Sequence, residues 1–276
     1  MREEVQILAT THVDPHGHRL ALRALESMVA QVADHYIPVI NNHNYLKAPL
    51  GRIATASIVR LPDGEYALEA VNELFEPGDV PASLAGDGRR MLVGPAPSAP
   101  FKVSANLQFA DSGGQALVYE LAELAIPGSR PEVLLQKSLD PMALLIITFP
   151  LIAFANGFFG QMGADTYIAL KRRLIAHYRH HEDRPSILEL RFIGNADNRQ
   201  VEIRVFIQDP TEKIMEMLLT EGISELTQLV SDTLALEPNS AQLALLLSKD
   251  HLELLYVVRN DVVPLPLPSR NRFDVT

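Results

Sequence analysis

Apolar and polar positions along the chain follow two rhythms, one of period near 3.6 and one of period 2. Between Leu20 and His35, apolar residues at Leu22, Leu25, Met28, Val29 and Val32 fall at helical spacing. A strand over Val5 to Thr11 precedes that helix, separated from it by the turn Val13-Asp14-Pro15-His16-Gly17-His18. Tyr36 to Asn41 reads as a short apolar strand. Ile53 to Arg60 and Tyr66 to Leu74 flank Pro62-Asp63-Gly64, a hairpin signal. Phe101 to Phe109 and Gln115 to Ile126 read as two further strands. One early helix followed by strands predicts an α+β first domain with a partly closed antiparallel sheet.

Past Glu132 the order changes. Met142 to Phe149 is expected as a buried strand, Leu151 to Arg179 as a helix, and Ile187 to Ile193 with Gln200 to Ile207 as a hairpin of alternating apolar and charged residues. Thr211 to Leu236 is amphipathic, and Asp209-Pro210-Thr211-Glu212 supplies a cap with Pro at the first helical position. Strands over Gln242 to Leu247 and Glu253 to Val258 complete a β-α-β-β-α-β-β module.

Pro and Gly punctuate this order twice. Glu76 to Phe101 is too rich in both for a continuous helix or central strand, and reads as a long loop or lid with one short helix around Ala82 to Leu92. Ile126-Pro127-Gly128-Ser129-Arg130-Pro131 is the expected boundary between domains 1–130 and 131–263, with 264–276 as a Pro-rich, extended tail.

Composition narrows the function. With 47% hydrophobic residues and mean hydropathy +0.06, the chain has the apolar material for packed cores. A formal charge of −10 argues against nucleic acid as a partner. Acidic residues stand where a signal peptide carries its apolar run, so cytoplasmic folding is expected. The charge-free run Pro141 to Ala164 has two readings. It is a core strand and helix split at Pro150, or a bilayer span that must carry Pro150, Asn156, Gly157 and Gly160.

The absence of cysteine removes disulfides, thiolate metal sites and a thiol nucleophile. No Gly-rich phosphate loop or H-E-x-x-H motif is present, and no cofactor is expected. His12, His16 and His18 flank one turn and either face water or converge on a metal, while His177, His180 and His181 complement the end of a basic helix. His43 is placed differently. It follows the apolar stretch Ile37-Pro38-Val39-Ile40 and precedes the tight turn Pro49-Leu50-Gly51, which would hold an imidazole at a sheet edge as a general base requires. Without cysteine its nucleophile would be a hydroxyl. Ser104, set among apolar neighbours just after the long loop, is the best-placed serine.

In residues 5 to 130 these features resemble the prohead (capsid maturation) proteases of tailed phages, a family related in fold to the herpesvirus assemblin serine proteases. The resemblance rests on the D-x-x-G turn Asp14 to Gly17, the following helix, the pattern of His43, Pro49, Leu50 and Gly51, and the hairpin around Asp63-Gly64. It implies a catalytic site of Ser104 as nucleophile, His43 as general base and Glu123 as the acid orienting the imidazole. Ser104 is followed by Ala105-Asn106-Leu107 where the family has an S-x-G-F type strand. The implied function is a serine endopeptidase cleaving itself or a protein partner, with the C-terminal domain recruiting or regulating, and a homo-oligomer is expected. The alternative is an inactive protease-like scaffold or binding protein in an assembly or bacterial defence system. In that case Ser104 is an ordinary strand serine and Glu123 a solvated acid.

Overall fold

A computed structural model describes residues 1–13, 19–40, 44–75, 87–134, 143–151, 164–180, 186–196, 199–248, 251–265 and 272–274. The chain is α+β, with helices, strands and two mixed sheets, neither of which closes into a barrel among the described residues. It divides into two compact units. The first is Met1–Leu92 with Val258–Pro266, and the second is Val93–Val257 with Leu267–Thr276. The expected division at residue 130 therefore differs from the observed one. The break falls in the Pro/Gly-rich stretch taken for a lid inside one domain, and a late segment rejoins the first unit.

In the first unit, β1 (Arg2–Thr10), β2 (His35–Val39), β3 (Gly51–Arg60), β4 (Tyr66–Leu74) and β5 (Arg90–Met91) form a sheet in the order β1-β4-β3-β2-β5. All pairs are antiparallel except β2–β5. The sheet is open, with β1 and β5 at its edges, so the expected partial closure is not seen among the described residues. Helix α1 (Leu22–Asp34) buries Leu25 and Val32, the residues its periodicity selects, and Val32 packs with Ile53 and Ala70. Of the expected short helix, 82–86 lie outside the described residues and Arg90–Met91 is strand β5.

Gly51 opens β3 because β4 runs against it. A Cβ there would lie 2.2 Å from the Glu73 carbonyl oxygen and 2.9 Å from the Leu74 Cα. Gly51→Ala is expected to lower the unfolding free energy by about 1–3 kcal/mol, the usual cost of overpacking, in a urea titration. The next residue, Arg52, is nearly fully buried. Its Nε donates to Glu73 Oε2 at 2.6 Å, its Nη1 donates to the Asp261 carbonyl at 3.1 Å, and its guanidinium stacks 3.9 Å from the Tyr36 ring centroid. Arg89 lies 4.5 Å from the same ring, and the Met91 N–H donates to the Asn260 carbonyl at 2.6 Å. These bonds tie Asn260 and Asp261 of the returning segment to β3 and β5.

The second unit is built on a sheet in which β6 (Lys102–Asn106), β7 (Glu132–Leu134), β8 (Ala143–Pro150), β9 (Ser186–Ala196), β10 (Arg199–Gln208), β11 (Ser240–Ser248) and β12 (His251–Arg259) follow the order β12-β11-β10-β9-β8-β6-β7. Within the tail, β13 (Pro264–Leu265) is a short strand, and β14 (Arg272–Asp274) pairs with β12. Helices α2 (Leu107–Phe109) and α3 (Gln115–Ala125) follow β6, α4 (Ala164–His180) links β8 to β9, and α5 (Glu212–Met217) and α6 (Ile223–Leu236) link β10 to β11. Thr211, rather than Asp209, caps α5 by accepting from the Ile214 N–H at 3.3 Å.

Register places Leu145, Leu188, Ile147 and Leu190 on one sheet face, continued by Phe149, Phe192, Ile203 and Leu243. All eight are buried, making an apolar layer across four strands. The first part of the charge-free run is β8. Residues 152–163 lie outside the described residues, and no helix among those described is long and apolar enough to cross a membrane.

Candidate functional site

Ser104 sits in mid-strand on β6, between the parallel neighbour β7 and the antiparallel neighbour β8. Its residue is 5% exposed, and its Oγ donates to Glu132 Oε2 at 3.0 Å. Lys102 Nζ lies 2.9 Å from the same carboxylate oxygen. The Lys102 hydrogen bond, helped by Ser104 and by the charge of Arg191, holds the Glu132 carboxyl below the usual carboxylate range against the opposing effect of burial. A carboxylate kept ionised and already bonded to a lysine is a poor proton acceptor, so this contact orients the hydroxyl without activating it.

The strand expected over Gln115 to Ile126 is helix α3. Leu117, Val118, Leu121 and Ala122 are buried at i, i+1, i+4 and i+5, a helical stripe that alternation cannot produce. Asn106 makes the change from strand to helix. Its buried Oδ1 accepts from the Phe109 and Leu144 N–H groups, each at 2.9 Å, capping the turn and tying it to β8. Glu123 consequently stands on the exposed side of a helix, where its Oε2 accepts from the Gly128 N–H at 2.8 Å. Gly128 has φ +78°, a left-handed conformation that suits glycine in the turn ending α3. The Ser104 hydroxyl and the Glu123 carboxylate are therefore bonded to different partners. His43 lies outside the described residues.

Beside β6, a cavity of about 250 Å³ runs between Pro97–Val103 and the end of α3. Phe101, Val103, Ala122 and Ile126 give it apolar walls, and Lys102 and Arg130 stand at it; neither Ser104 nor Glu123 lines it. Among the described residues no group of three or more His, Asp or Glu side chains is placed to hold a metal. His12 Nε2 is 2.7 Å from Asp63 Oδ2, and His16 and His18 lie outside the described residues.

The polar residues that sequence reasoning missed lie further across the same sheet. Glu189 on β9 is fully buried and accepts a fork from Arg204 on β10, at 2.8 and 2.9 Å. Arg191 Nε donates to Glu189 Oε1 at 2.7 Å and lies 3.3 Å from Glu202 Oε1. Glu202 Oε2 accepts from Gln242 Nε2 at 2.6 Å. Burial alone would raise the Glu189 carboxyl, but the charges of Arg191 and Arg204 outweigh it and bring it down to about 2. Burial likewise disfavours the Arg204 charge, and Glu189 more than offsets that and raises its pKa. Two guanidiniums answer two carboxylates, so the cluster is internally satisfied. No family model, curated protein or solved structure matches the chain.

Proposed function

We propose that the chain acts as a non-catalytic protease-like scaffold or binding protein, in which Ser104 is a structural strand serine. The observation that carries this reading is the state of the hydroxyl, buried in mid-sheet and donating to an ionised Glu132 that also holds Lys102. A nucleophile needs access to a carbonyl and a base free to take its proton, and among the described residues Ser104 has neither. The protease-like part of the proposal rests on the sequence resemblance alone, which in the first unit runs over α1, β2 and the turn into β3 at Gly51. The second unit would then supply the recruiting surface.

The endopeptidase reading makes the opposite demand on Ser104. Wild type and Ser104→Ala are each expected to remain intact, differing in mass only by the hydroxyl oxygen, and to give the same partner fragments when produced together with neighbouring gene products, as read by mass spectrometry. Cleavage of the chain or of a partner that disappears in Ser104→Ala would overturn the scaffold reading and restore the serine endopeptidase with His43 as its base. Ser104→Ala leaves Glu132 its Lys102 partner and is expected to cost about 0.5–1.5 kcal/mol of stability, the usual net worth of one hydrogen bond.

A further inference from the structure

We propose that the cavity between Pro97–Val103 and the end of α3 binds a small apolar carboxylate, one ring on a short chain, with the acid group held by Arg130. The whole cavity belongs to the second unit. Of its apolar lining, Phe101, Val103 and Ala122 are buried, while Ala125 and Ile126 reach solvent, so the space has a dry side and a wet one. Pro97 and Pro100 flank the segment Ser98-Ala99 on the wall opposite α3, and their fixed φ angles limit how far that wall can relax. Volume sets the size of the occupant. At about 250 Å³ the cavity exceeds the ~150 Å³ that takes up a benzene molecule and falls short of the ~300–1,000 Å³ of pockets for drug-sized ligands. It therefore suits one aromatic ring and two or three further carbons.

The polar groups select the charge. The acceptors at this end of α3 are already answered: the Ala122 carbonyl accepts from the Ile126 N–H at 3.1 Å and from Ser129 Oγ at 2.6 Å, and Glu123 accepts from the Gly128 N–H. The donors are not. Lys102 is committed to Glu132, but Arg130, exposed and lining the cavity, has no hydrogen bond or ion pair among the described residues, and the Ser98 hydroxyl has none either. What the lining lacks is thus an acceptor, and a planar guanidinium matches a carboxylate with two parallel bonds. On a chain of net charge −10 a free cation beside an apolar cavity is also a local exception to a field that repels anions. Neither Ser104 nor Glu132 lines the cavity, so the proposal is independent of the reading of Ser104.

Titration of the isotope-labelled full chain with 3-phenylpropanoate, followed by amide NMR, tests the site. Saturable shifts are expected at Lys102, Val103, Ala125, Ile126 and Arg130. Arg130→Gln, a change at an exposed position, is expected to weaken binding about tenfold, because a neutral amide replaces a charge-assisted pair. The uncharged 3-phenylpropanol keeps the ring and chain, so it is expected to bind wild type about tenfold more weakly than the acid and to lose nothing further in Arg130→Gln. Ala125→Phe fills the cavity from the partly exposed wall of α3 and is expected to abolish binding of both compounds. Circular dichroism identifies any variant that has failed to fold, and Arg130→Gln decides the question if Ala125→Phe does not fold. No saturable shift in wild type, equal affinity of the acid for wild type and Arg130→Gln, or an equal loss of the alcohol in that variant would each overturn the proposal.

Discussion

Glu189→Leu is expected to lower the unfolding free energy by about 3–5 kcal/mol, the cost of leaving a buried charge without its partner. Arg204 is 4% exposed and donates both arms of its fork to Glu189, so after the substitution its guanidinium stays in the sheet without that fork. Replacing Glu189, Arg191 and Arg204 together by leucine or methionine, in a background where Glu202→Gln has already removed the fourth charge, leaves no charge of the cluster stranded. The quadruple variant is therefore expected to recover most of the loss. Urea titrations of the three proteins check this, and a quadruple variant no more stable than Glu189→Leu would show that the ion cluster is not the source of the effect.

The same carboxyl fixes an acid limit. Its pKa is lowered in the folded chain to about 2 from an ordinary value of 4.5. A lowered carboxyl contributes stability that is fully present above the unfolded value and is lost as pH falls through the folded one. The wild-type thermal midpoint should fall as pH drops from about 4.5 toward 2, and that part of the acid dependence should be missing in the quadruple variant.

Arg52→Ala is expected to have an effect of similar size, about 3–5 kcal/mol, in the first unit. The loss has two parts. Glu73, largely buried, is left without its cation, and the Asp261 carbonyl loses its donor, so the returning segment is held less firmly. Arg52→Lys should recover less than half of it. A lysine keeps the charge but cannot bond Glu73, reach the Asp261 carbonyl and stack on Tyr36 with one planar group. Urea titration gives the magnitudes, and amide exchange at Asn260 to Val263 localises the effect. Unchanged exchange there would show that Arg52 supports the sheet without anchoring the segment.

Much of the fold could be read along the chain because period and burial agree. In α1, Leu25 and Val32 are both in the apolar stripe and in the core. The hairpin of β3 and β4 turns where Pro62-Asp63-Gly64 predicts, with Gly64 at φ +92°. From β8 to β12 the elements follow the order read from the alternation of strand and helix patterns. The misreadings have physical causes. Gln115 to Ala125 is so apolar that a strand reading fits as well as a helical one, and the deciding cap, Asn106, lies outside the segment. On β9, alternation of Leu188, Leu190 and Phe192 with Glu189 and Arg191 reads as one wet face. In fact both faces are buried, and only the cross-strand partner Arg204, thirteen residues beyond Arg191, reveals it. For Ser104, spacing along the chain does not show the neighbour its hydroxyl bonds, Glu132 on the adjacent strand.

The insertion of Val93–Val257 between the two parts of the first unit sets an order of events during synthesis. Domains generally fold as they leave the ribosome, N-terminal first. Here the N-terminal unit emerges early but lacks Asn260 and Asp261, the partners of Met91 and Arg52, until the whole inserted unit has been made. The inserted unit can fold before its predecessor is complete. A truncated product ending near residue 130 would carry an unclosed first unit and only a fragment of the second, and is expected to be a substrate for quality-control proteases.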